Sequence, residues 1–249
     1  MNVIKGLLDR IADYLVVKVL IGFLCWFYFR IIHRVEIIGK ENIPRSGRTV
    51  FYANHPSMMD PFLLSSCLFF PRCVLQPGLL PWIPAAEENF FPNDCRKIPL
   101  LRKIPLLKDS QLFDWIMRHA NAIPVKEGRR DPSILRNMII GLALGKNILI
   151  FPEGGRTKTG ELDEFAEGIV LLTEKAKKIV PIWIDGAEKI LPKGQSWPQW
   201  DDKRITVIVG KPIKKVLWRF LLSLFTSKKK RRENLLKKMR DELLRLKLR

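Results

Sequence analysis

Six short runs rich in aliphatic and β-branched residues punctuate the middle of this chain, and stretches of helical periodicity separate several of them. The runs are "RVEIIG" (34–39), "RTVFYAN" (48–54), "NAIPVKE" (121–127), "NILIFPE" (147–153), "KIVPIWID" (178–185) and "RITVIVG" (204–210). Helical patterns follow in "DPFLLSSCLFF" (60–70), "DPSILRNMIIGLALG" (131–145) and "ELDEFAEGIVLLTEKAKK" (161–178). Asp131 ahead of Pro132 marks a helix start, a capping side chain followed by a ring already set for the first turn. Strands that alternate with helices bury both kinds of apolar surface by layering, which predicts an α/β fold with a mostly parallel central sheet flanked by helices. In such sheets ligands gather where strands end and helices begin. With 249 residues, 47% of them apolar, the chain can build one large core of this kind.

Both ends differ from that middle. Ile4, Leu7, Leu8, Ile11, Tyr14 and Leu15 recur at helical spacing, with Lys5, Asp9, Arg10 and Asp13 on the other face. The pattern then turns apolar all round in "VLIGFLCWFYF" (19–29), between Lys18 and Arg30. A run of that length spans about 16 Å of helix, against roughly 30 Å of hydrocarbon. Residues 1–33 therefore read as membrane-associated helix lying in one leaflet, and the aromatic cluster Trp26–Phe29 beside Arg30 suits the interface. A core helix of a soluble protein satisfies the same length argument. Acidic residues before the apolar run, and no small-residue cleavage pattern after it, argue against a signal peptide.

At the other end, residues 211–249 hold 15 Lys and Arg against 3 Asp and Glu, so +12 of the chain's formal +19 lies there. Such a tail seeks phosphates, on nucleic acid or on anionic lipid. Within 211–225, Lys211, Lys215, Arg219 and Ser223 form a narrow polar stripe amid Val216, Leu217, Trp218 and Phe220; Leu235, Leu236, Met239, Leu243 and Leu246 repeat the pattern beyond it. Nucleic acid would need no apolar face, so basic amphipathic helices on a membrane surface are the better reading. The expected organisation is thus 1–33, an α/β domain over 34–210, and a basic extension over 211–249, on the cytoplasmic face of a membrane (the inner one in a bacterium).

Other features exclude more than they establish. Cys25, Cys67, Cys73 and Cys95 form no C-x-x-C pair, and only His33, His55 and His119 accompany them, so no metal site is expected. The tandem "RKIPLLRKIPLL" (96–107) reads either as a surface loop that touches lipid or as a duplication that simply packs. "GLALGKN" (141–147) is one residue short of a phosphate loop, lacks its hydroxyl residue and ends a helix instead of following a strand.

Two constellations carry chemistry. In "VFYANHPSMMDPFLL" (50–64) a strand stops at His55, and Pro56 suits the turn into a helix. Asp60, about one turn later, can reach one imidazole nitrogen and leave the other free to take a proton from a hydroxyl. Such a pair can equally be structural. In "ILIFPEGGRTKTG" (148–160) a second strand runs into Glu153, Gly154, Gly155 and Arg156. Glycines let backbone approach a ligand, and arginine offers a forked donor for phosphate; an ordinary turn with a surface ion pair would look the same.

Taken together, these stretches resemble the glycerolipid acyltransferases, the lysophosphatidic acid acyltransferase group. "NHPSMMD" resembles the N-H-x-x-x-x-D signature and "FPEGGRT" the F-P-E-G-T-R-S signature, in the same order; "NAIPVKEGRRD" stands in the place of a G-x-I-P-V-x-R block and "IVPIWIDG" in that of a V-P-V strand. The resemblance covers roughly residues 35–210 and implies acyl transfer from a thioester, on coenzyme A or acyl carrier protein, to a hydroxyl of a lysophospholipid-type acceptor, with no cofactor and no nucleic acid. It implies His55 as general base oriented by Asp60, and an acceptor and phosphate site from Glu153, Gly154, Gly155, Arg156, Lys126 and Arg129. The chain departs from the pattern at Gly155 and Thr157, at Lys126 where arginine is usual, and at Glu167 in "FAEG" where F-K-x-G is frequent. These departures bear on the acceptor: lysophosphatidic acid leads, with another lysophospholipid or glycerol phosphate as alternatives, and a non-catalytic lipid-surface protein as the reading from a different class.

Overall fold

A computed structural model describes residue 11 and residues 13–91, 110–125, 132–156, 161–190, 204–213 and 227–248. Its centre is a five-stranded sheet in the order β1 (Glu36–Ile38), β7 (Thr206–Val209), β6 (Lys178–Asp185), β2 (Thr49–Ala53), β5 (Ile148–Ile150). All neighbours run parallel except β6 and β7. A second parallel pair, β3 (Ile83–Ala86) and β4 (Ala122–Val125), joins the β5 edge through a bridge between Trp82 and Ile148. The expected mixed, mostly parallel α/β fold is the one observed.

Every residue of β2 is buried, as a central strand covered on both faces must be. The pleat sends Phe51 and Ala53 to one side and Val50 and Tyr52 to the other. On the first side lie α1 (Tyr14–Ile32) and α2 (Asp60–Phe69), contributing Phe29, Leu63, Leu64 and Phe69 to the core. Helix α3 (Ser110–His119) packs Phe113 and Met117 with Ala85 in a smaller cluster. On the second side are α4 (Pro132–Ala143), α5 (Gly168–Lys175) and α6 (Lys228–Lys247).

Two expectations need correction. The helical reading of 161–178 holds only from Gly168: residues 161–167 are drawn out across the end of β5, tied by the Ala166 N–H to the Pro152 carbonyl at 2.8 Å. The basic extension is not separate from the domain in its second half, because α6 buries Leu235, Met239, Leu243 and Leu246 in the second core. That apolar side is therefore not available to lipid. Residues 214–226, which carry the first basic amphipathic pattern, lie outside the described residues, as do the tandem at 96–107 and both Lys126 and Arg129.

Helix α1 is long and apolar enough to cross a membrane by length and composition, yet one side of it is docked on the domain. Phe29 is fully buried, Lys18 Nζ donates to Asn121 Oδ1 at 3.2 Å, Tyr14 donates to the Val74 carbonyl, and Asp13 pairs with His119 at 3.3 Å. The outer side exposes Leu15, Leu20, Phe23, Leu24, Phe27 and Ile31. Between α1, α2, β3 and α3 lies an apolar cavity of about 90 Å³, lined by Ile21, Cys25, Phe62, Ser65, Ile83 and Met117 among others.

Candidate active site

The register of the central strands brings the two constellations together. Tyr52 of β2 pairs with Ile150 of β5, and continuing both strands by three residues reaches His55 and Glu153. The His55 N–H donates to Glu153 Oε1 at 3.0 Å. Just before it, Asn54 prolongs the ladder toward β6 with its side chain: Nδ2 donates to the Ile184 carbonyl at 2.8 Å, and Oδ1 accepts the Ile184 N–H at 2.7 Å. The chain can therefore leave the sheet at His55 without stranding backbone groups in the core.

His55 lies against Phe151, ring centroids 4.1 Å apart and 18° from parallel. Its Nδ1 is 2.8 Å from Asp60 Oδ2. An ionised carboxylate only accepts, so Nδ1 carries the proton and the lone pair is left on Nε2. The His55 side chain is 18% exposed and that of Asp60 is wholly buried, so the base is reachable while its partner is not. Asp60 begins α2, and the Ser57 N–H donates to the same Oδ2 at 2.8 Å. Oδ1 has no hydrogen-bond partner among the described residues. Burial pushes the Asp60 carboxyl above the usual carboxylate range, and the hydrogen bond and charge of His55 pull it back.

Glu153 is held by two backbone donors. Its Oε1 accepts from His55 N–H and its Oε2 from Asp163 N–H at 3.0 Å, so it braces two loops of the protein. Burial raises its carboxyl, and these two donors offset part of the rise. Gly154 follows at φ +73, a left-handed turn that glycine adopts without strain. A Cβ at Gly154 or Gly155 would meet nothing within 4 Å among the described residues. Arg156, partly exposed, continues it.

The structure thus brings His55, Asp60, Glu153 and the Gly154–Gly155 turn into one place. Asn54, Ser57, Phe151 and Asp163 join them, and none had been assigned a role. Asn54 was visible in the motif as the residue before the histidine, whereas Ser57 and Asp163 act through backbone N–H groups that no side-chain pattern announces. Among the described residues, no three His, Cys, Asp or Glu side chains gather as a metal site. The apolar cavity does not include His55; it begins at Pro61 and Phe62, which directly follow Asp60.

A family model described as Acyltransferase matches residues 34–185, the stretch that contains both constellations. The chain belongs to the acyltransferase family. Among curated proteins, this acyltransferase is 27% identical over 187 residues to the chloroplastic 1-acyl-sn-glycerol-3-phosphate acyltransferase LPAT1 of Arabidopsis thaliana, covering 73% of this chain and 44% of that one. It is likewise 27% identical to the chloroplastic 1-acyl-sn-glycerol-3-phosphate acyltransferase BAT2 of Brassica napus, covering 73% and 45%. The chain therefore spans somewhat less than half the length of these relatives. A crystal structure of the 1-acyl-sn-glycerophosphate (LPA) acyltransferase PlsC from Thermotoga maritima shares the fold, with a TM-score of 0.56 over the whole of both chains at 20% identity.

Proposed function

We propose that this protein transfers an acyl chain from a thioester, acyl-coenzyme A or acyl carrier protein, to the free hydroxyl of lysophosphatidic acid, giving phosphatidic acid. The observation that carries the reading is the Nδ1–H···Asp60 hydrogen bond, which leaves the Nε2 lone pair of a partly exposed His55 free for a hydroxyl proton. As Nε2 takes that proton, the acceptor oxygen attacks the thioester carbonyl carbon, forming C–O. The tetrahedral adduct then collapses, C–S breaks, and the thiolate recovers the proton from the imidazolium. A thioester is already activated, so positioning and one base suffice, and general base assistance is worth about 10²–10⁴ in rate.

Substrate delivery fits the same reading. Arg156 would meet the acceptor phosphate above the Gly154–Gly155 turn, Lys126 and Arg129 are assigned to the same phosphate from the sequence alone, and the cavity lined by Pro61 and Phe62 would take the acyl chain. The exposed apolar side of α1 supports docking on the cytoplasmic surface of a phospholipid membrane, where both lipids reside, with anionic headgroups drawn to the basic C-terminal region. The relatives' names support lysophosphatidic acid as acceptor.

The test is thiol release from a long-chain acyl-coenzyme A in detergent, offered lysophosphatidic acid, glycerol 3-phosphate or lysophosphatidylcholine, for wild type and His55→Ala. Release with lysophosphatidic acid that is lost in the variant is expected. Undiminished release by His55→Ala would overturn the base assignment. Release only with another acceptor would keep the chemistry and reject the headgroup, and no release from either coenzyme A or acyl carrier protein would leave a lipid-surface binding protein.

A further inference from the structure

We infer that Arg240, on the C-terminal helix α6, is a positioning residue for the catalytic base. Two successive residues of α6 hold the two halves of the site. The Met239 carbonyl accepts the hydroxyl of Tyr52 at 3.3 Å, and Tyr52 is the fully buried β2 residue three places before His55. Arg240 Nη2 donates to the Leu162 carbonyl at 3.0 Å. The Asp163 N–H that donates to Glu153 belongs to the same peptide group as that carbonyl, and Glu153 in turn holds the His55 N–H.

One planar amide therefore links Arg240 to Glu153. In a trans peptide the C=O and N–H point in opposite directions, so fixing the oxygen fixes where the hydrogen aims. A cationic donor on the oxygen also polarises the amide and strengthens the N–H as a donor to the carboxylate. The segment 161–167 belongs to no helix or strand, so Leu162 and Phe165 in the core and these hydrogen bonds hold it in place. Loss of the guanidinium frees the amide to rotate, and the Glu153 carboxylate loses alignment with both of its donors. Helix α6 lies beyond the residues that the family model matches, so the motif signatures do not point to Arg240.

Arg240→Leu, Arg240→Lys and a control, Lys237→Leu, separate this role from the charge of the helix, since Lys237 is exposed on the same element. The first measurement is hydrogen exchange by mass spectrometry on the full-length protein, on fragments containing 53–56 and 161–166. Arg240→Leu is expected to speed exchange in both, on the order of tenfold for a lost charge-assisted hydrogen bond. Arg240→Lys should restore much of the protection, and Lys237→Leu should change neither fragment. The second measurement rests on the acyl-transfer reading: kcat should fall about tenfold in Arg240→Leu with the KM for the acyl donor unchanged. Exchange separates the two ideas, because it reports on Arg240 even if no thiol is released. Unaltered exchange at 53–56 in Arg240→Leu overturns the inference, as does an equal effect from Lys237→Leu. If Arg240→Leu loses protection throughout, Arg240→Lys decides: wild-type protection with wild-type kcat supports the link, and loss confined to helix α6 rejects it.

Discussion

At Asp60, function and stability pull in opposite directions. Its carboxylate is wholly buried, with Oδ1 unpartnered among the described residues, and burial raises its pKa. A carboxyl whose folded pKa is raised binds a proton more readily folded than unfolded, so its contribution to stability falls as pH rises from the ordinary carboxylate range through the raised value. Asp60→Asn removes that penalty and keeps an acceptor oxygen for the imidazole, but removes the charge that stabilises the imidazolium. Its melting temperature at neutral pH is expected to equal or exceed that of wild type, with the advantage vanishing in acid, while kcat falls on the order of 10²-fold. A kcat near wild type would show that the pair is structural. Glu153→Gln differs in stability, since an amide nitrogen turned toward either backbone N–H leaves that group unsatisfied. A loss of about 1–3 kcal/mol of stability is expected together with reduced turnover, and denaturant unfolding at matched slope checks it. The His55–Asp60 pair was legible because its partners lie five residues apart in one turn. The bracing by Glu153 was not, because its partners are backbone groups brought in by the β2–β5 register and by the 161–167 segment.

Helix α1 owes its placement to features that periodicity alone does not contain. An apolar run predicts a helix, yet only packing selects which side meets the domain, and here Phe29, Lys18, Tyr14 and Asp13 make that choice. The side that is not docked exposes Leu20, Leu24 and Phe27, the residues on which the proposed membrane attachment would depend. Changing these three to glutamate should leave the thermal unfolding profile intact, because all three are exposed, and weaken binding to phospholipid vesicles by about 100-fold or more. Sedimentation with vesicles of mixed neutral and anionic lipid measures it, and unchanged binding would remove α1 as the anchor. The other elements were legible to the degree that local propensity agreed with tertiary need. Strand β6 was expected over the residues it occupies, whereas β3, "IPAA", has a proline and two alanines and exists because β4 and the Trp82 bridge pair with it. The residues 161–167 look helical, but the anchoring of Ala166, Leu162 and Asp163 near β5 outweighs that propensity.

For the molecule as a whole, the C-terminal helix decides what a truncation can mean. If residues 211–249 were only an electrostatic anchor, removing them would weaken attachment to anionic vesicles and leave a folded enzyme. The packing of α6 argues otherwise. Leu235, Met239, Leu243 and Leu246 are all buried in the core on one side of the sheet, and burying such side chains contributes roughly 1.5–3 kcal/mol each. Together that is on the order of 6–12 kcal/mol, comparable to the whole stability of an ordinary domain, about 5–15 kcal/mol. Deletion of residues 227–249 is therefore expected to abolish cooperative unfolding and near-ultraviolet circular dichroism, and turnover with them. The electrostatic role needs a gentler probe, since the same helix turns Lys229 and Lys230 outward. Reversing those two to glutamate should keep the melting transition and lower affinity for anionic vesicles more than for neutral ones, an effect that fades as salt is raised. A truncated chain that melts cooperatively would mean that α6 is peripheral, and with it the hydrogen bonds from Met239 and Arg240 would lose their hold on the site.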